Sequence, residues 1–69
     1  MMNEEQMNME MRKFLKRFGV TSQQKIEHAI FKAVEEGRLQ GNEALKVKAT
    51  LELPELGVVH VVEGEISLE

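Results

Sequence analysis

The sequence predicts an α+β fold in the order helix, helix, strand, strand, with both helices packed on one face of an antiparallel β-hairpin. Three observations predict it. Apolar residues recur at helical spacing through the first half of the chain. From Leu45 the pattern changes to strict alternation, the signature of a strand with one buried face. The segment Pro54-Glu55-Leu56-Gly57 then divides the alternating stretch with turn residues.

The first helix is expected over about residues 4–18. Met7, Met11, Phe14, Leu15 and Phe18 fall on one face, and Gly19 supplies a residue that commonly stops a helix. Glu4 and Glu5 sit at the positive end of the helix dipole, Lys16 and Arg17 at the negative end. The second helix is expected over about residues 22–36, opened by a capping box between Thr21 and Gln24. Ile26, Ala29, Ile30, Ala33 and Val34 form its stripe, and Gly37 ends it. The short link at Gly19 to Ser22 implies a helical hairpin or corner.

Strands are expected at about 44–53 and 58–68. Leu45, Val47, Ala49, Leu51 and Leu53 point to one side of the first, and Lys46, Lys48, Thr50 and Glu52 to the other. Pairing Leu53 with Val58 across the turn sets Lys46 opposite Glu65 and Lys48 opposite Glu63, two pairs of opposite charge from one register. The second strand departs from this pattern, because Val58-Val59-His60-Val61-Val62 is apolar on both faces. Val59 and Val61 fall beside Thr50 on the side away from the helices. Gly64 interrupts the inner face, as a bulge or as space for a helix side chain.

Composition limits the chemistry. The chain has 69 residues, 42% of them hydrophobic, and reads as a single small domain over 1–69. A domain this small buries only about 60% of its unfolded surface. It lacks cysteine, so neither a disulfide nor a thiolate site is available. It has no apolar run long enough to span a bilayer and no secretory leader pattern, so a cytoplasmic location is expected. The nucleophiles and bases reduce to Ser22, Ser67, Thr21, Thr50, His28 and His60 with some Lys and Glu. No phosphate-binding loop or paired nucleophile and base is present, and the two histidines fall on different elements. The expectation is therefore no enzyme, no cofactor and no metal site. His60 falls on the inner face opposite Leu51, where a lone histidine is more often partly buried and hydrogen-bonded than a ligand; if it is buried neutral, its protonation would destabilise the fold.

Charge is unevenly placed. Residues 1–36 balance six cations against six Glu, whereas residues 37–69 hold three cations and six Glu, so the net charge of −3 resides in the second half. Arg12, Lys13, Lys16 and Arg17 form the one cluster of a single sign. They lie opposite the first stripe and could bind phosphate or an anionic surface, although a solvated helix face whose cations complement the C-terminal dipole explains them better. A degenerate winged helix is the corresponding nucleic-acid reading. It is disfavoured, because Glu52, Glu55, Glu63 and Glu65 would stand where phosphates lie.

The leading functional expectation is a small interaction module, acting through homodimerisation or an unknown protein partner. A two-stranded sheet has two open edges and is marginal by itself. Val59, Val61 and Thr50 on the outer sheet face, with Phe31 at the flank of the second helix, are the candidate interface. The segments Arg12-Lys13-Phe14-Leu15-Lys16, Gly19-Val20-Thr21-Ser22-Gln23, Gly37-Arg38-Leu39-Gln40-Gly41 and Val62-Glu63-Gly64-Glu65-Ile66 resemble a family of short bacterial proteins of unknown function. That resemblance implies no activity, ligand or catalytic residue.

Overall fold

The computed structural model describes residues 1–69 and contains one long helix followed by a hairpin. Helix α1 spans Glu4–Glu35, strand β1 spans Ala44–Leu53, a single 3-10 turn covers Pro54–Leu56, and strand β2 spans Val58–Ser67. The class is α+β as expected, but one helix stands where two were predicted.

The two local signals at the expected break are used differently. Gly19 adopts no positive φ and continues the helix. The Thr21 hydroxyl donates to the Arg17 carbonyl at 2.8 Å, one turn back, so it does not cap a new helix. The apolar stripe also passes through the site in phase. Phe18, Ser22, Ile26, Ala29 and Ala33 follow one another at steps of three or four residues. A mid-helix glycine costs about 1 kcal/mol relative to alanine. Stopping there would instead forgo several backbone hydrogen bonds worth roughly 0.5–1.5 kcal/mol each. Continuation is the cheaper outcome.

The helix ends are well defined. The Asn3 side chain accepts from the Gln6 N–H at 3.1 Å and caps the start. At the other end Gly37 takes φ 78°, its N–H bonds the Val34 carbonyl at 3.1 Å, and the Arg38 N–H bonds that of Ala33 at 2.8 Å. This is a Schellman closure, which requires the left-handed residue at Gly37. The loop to β1 is organised by Glu43, whose carboxylate accepts from the backbone N–H groups of Gln40 at 2.8 Å and Gly41 at 3.0 Å. Those bonds, Gln40's above all, hold the Glu43 carboxyl below its ordinary pKa.

The hairpin adopts the register the charges imply: Leu53 opposite Val58, Lys48 opposite Glu63, Lys46 opposite Glu65, and Leu51 opposite His60. Neither charge pair closes to ion-pair distance, and the one salt bridge in the chain joins Arg38 to Glu36 at 2.7 Å. The register runs unbroken through Gly64, so there is no bulge. A Cβ at Gly64 would meet only Val47, at an ordinary 3.8 Å.

The helix shields one strand better than the other. Leu45, Val47, Ala49 and Leu51 on the inner side of β1 are half-buried, as are Ser22, Ile26 and Ile30 on α1. On β2 only Ile66 is comparably covered, while Val58, His60 and Val62 are exposed. A single residue of the chain, Ala33, is buried, at 7% exposure. The molecule measures 55 × 21 × 18 Å with a radius of gyration of 16.4 Å, against about 11 Å for a compact chain of this length. Its accessible surface is 6488 Å², against about 4,400 Å² for a typical folded monomer of this mass.

Candidate functional site

The largest apolar concavity lies between the N-terminal half of α1 and the hairpin near its turn. Phe14, Leu15 and Phe18 form one wall, and Leu51, His60 and Val62 the other, around a groove of about 500 Å³. It arises from a mismatch of lengths. Thirty-two helical residues extend about 48 Å, and ten strand residues about 33 Å. With Ala33 beside Leu45 at one end of the hairpin and Phe18 beside Leu51 towards the other, the first two turns of α1 run past the turn. Met7 and Met11, at the start of the stripe, are exposed. Phe18 is 46% and Val62 55% exposed, so the groove is an open surface rather than a filled core.

Helical spacing places Phe14, Leu15 and Phe18 on one side but does not state what covers them. The available signal was quantitative: an apolar stripe of seven helical turns faces a sheet only two strands wide.

The sequence-predicted interface residues do not form one surface. Val59, Val61 and Thr50 share the outer face of the hairpin, with Thr50 opposite Val61 and Glu52 opposite Val59. Val59 is the more exposed valine at 65%. Phe31 is exposed as well, but it neighbours Val34, Gly41 and Leu68 at the open end of the hairpin. Arg12, Lys13, Lys16 and Arg17 are exposed on α1 and none takes part in a salt bridge. The Arg17 guanidinium stands 5.9 Å from the centre of the Phe14 ring, a cation–π distance at the edge of the groove.

His60 lines the groove opposite Leu51 as expected, but it is exposed rather than partly buried. His28 lies on α1 beside Phe31, Lys32 and Glu35, remote from His60. No three His or Glu side chains converge as a metal-binding group. No helix is long and apolar enough to cross a membrane.

The fold and its apolar groove define a helix-on-hairpin protein with an open apolar face and dispersed titratable groups. The chain belongs to a family of unknown function (DUF6494), which matches residues 2–69. Comparison with curated proteins and with solved structures found no match to either.

Proposed function

We propose that the protein is a small interaction module whose role is binding rather than catalysis, and that it works as a homodimer. The observation that supports this is the surplus of exposed surface. The chain presents about 2,000 Å² more than a typical monomer of its mass, and the exposed side chains include Met7, Met11, Phe14, Leu15, Phe18 and Val62. Permanent homodimers bury about 2,000–5,000 Å² in total between their subunits, a range this surplus reaches. A hairpin with one buried residue beneath it gains too little from the hydrophobic effect to stand alone.

Sedimentation equilibrium tests the reading directly. The expected result is a particle of twice the 7.9 kDa chain mass at micromolar concentration. A helical, cooperatively folded monomer at high micromolar concentration would overturn it.

The unpaired cations Arg12, Lys13, Lys16 and Arg17 favour one other reading, weak binding to a polyanion or anionic surface. Such binding would weaken steeply with added salt and disappear when all four become Gln. Binding to duplex DNA or anionic vesicles that is unaltered in that variant would remove it. The acidic second half of the chain weighs against this role.

A further inference from the structure

We propose that the groove between the N-terminal half of α1 and β2 is the dimer interface, and that its occupant is the same half of α1 from a second copy. This inference rests on the homodimer reading and goes beyond it by naming the surface and what fills it.

Three observations support this occupant. The first is shape. On the inner side the helix shields β1 and leaves Val58, His60 and Val62 of β2 open. Adjacent strands are about 4.8 Å apart, and packed helices about 8–10 Å. A second helix laid beside α1 therefore lies about two strand spacings from it, along the open flank of β2, where its stripe can reach Val58, His60 and Val62 and extend a two-layer arrangement of helices on a sheet face.

The second is reciprocity. The missing piece is an apolar helical stripe, and the chain itself carries one without a partner: Met7, Met11, Phe14 and Phe18, partly projecting past the hairpin turn. In a two-fold dimer each chain fills the other's groove with the same residues that line its own. One operation covers the groove, the overhang and the inner side of β2.

The third is area. Each chain exposes about 2,000 Å² beyond a typical monomer of its mass, and reciprocal seating covers groove and stripe on both chains at once, as the about 2,000–5,000 Å² of a permanent homodimer requires. The outer face offers less, since Val59 and Val61 are two valines set among Lys48, Glu52 and Glu63.

The absence of cysteine makes the test unambiguous. A tagged Phe18→Cys chain is mixed with an untagged Val62→Cys chain and treated with a short bismaleimide. Each chain then holds one thiol, so every cross-link joins two chains. The expected product is the mixed dimer, while a Val59→Cys and Val61→Cys mixture gives none. In parallel, Val62→Glu should weaken dimerisation by about thirtyfold or more, and Val59→Lys should change it by less than about threefold. Both sites lie on an exposed strand, and circular dichroism at a concentration above each variant's dissociation constant checks that the dimer it still forms is folded. A dimer that cross-links and loses affinity through Val59 and Val61 would overturn the groove assignment and leave the homodimer reading standing. A wild-type chain that is a folded monomer would overturn both.

Discussion

Gly19 and Gly37 differ only in the backbone each must adopt. Gly19 sits within α1 without a positive φ, and a Cβ there would meet nothing within 4 Å. Its replacement by alanine removes an entropic cost and adds no clash, so Gly19→Ala should stabilise the fold by about 1 kcal/mol in a thermal or urea melt. Gly37 holds φ 78° at the helix terminus, where a side chain is strained. Gly37→Ala should therefore destabilise by about 1 kcal/mol, and equal effects of both substitutions would refute the helix end. Glu43 adds a pH dependence of known sign. Its carboxyl is held below the ordinary range by the Gln40 and Gly41 N–H groups. The stabilisation is thus present above the pKa of an unfolded glutamate and is lost as pH falls through the lowered folded value. Glu43→Gln should be less stable than wild type at neutral pH, with the gap closing in acid. A gap that stays constant from pH 7 to pH 3 would show that the loop does not depend on the charged carboxylate.

At the scale of elements, the helix can be tested through Thr21. As the cap of a second helix, Thr21 would lose about 0.5–2 kcal/mol on substitution by alanine. As an interior residue bonded back to Arg17, it should lose nothing and gain a few tenths. Thr21→Ala therefore distinguishes one helix from two by the sign of its effect in a melt. The same residues explain what was legible in the sequence. The register of the hairpin was, because alternation of period two and the Lys46–Glu65 and Lys48–Glu63 alignment admit few slips. The end at Gly37 was legible for a similar reason, since the stripe and the glycine agree there. At Gly19 they conflict: the glycine and the Thr21–Gln24 spacing say stop, while the phase from Phe18 to Ser22 to Ile26 says continue. Local signals have alternative uses, and the threonine hydroxyl went to the Arg17 carbonyl. Sequence spacing also could not reveal the groove, because the exposure of Phe14 and Phe18 depends on what lies opposite them in space.

For the whole molecule, a dimer held by the groove makes folding depend on concentration. In such a dimer a chain with one buried residue and 6488 Å² of accessible surface would acquire most of its core on association, so unfolding and dissociation should form a single transition. Each tenfold rise in protein concentration then stabilises the folded dimer by about 1.4 kcal/mol. The unfolding entropy of globular proteins is about 2.1 cal/mol/K per residue. For two chains of 69 residues this converts to a rise of about 5 °C in Tm per tenfold increase in concentration. Melts at 1 and 100 μM should thus differ by about 10 °C. Val62→Glu should lower the whole series and push the transition to higher concentration, since it acts on the association step. A Tm that is independent of concentration over this range, with a cooperative transition at each point, would mean that the single chain is stable with its groove open. The apolar surface would then await something other than a second copy.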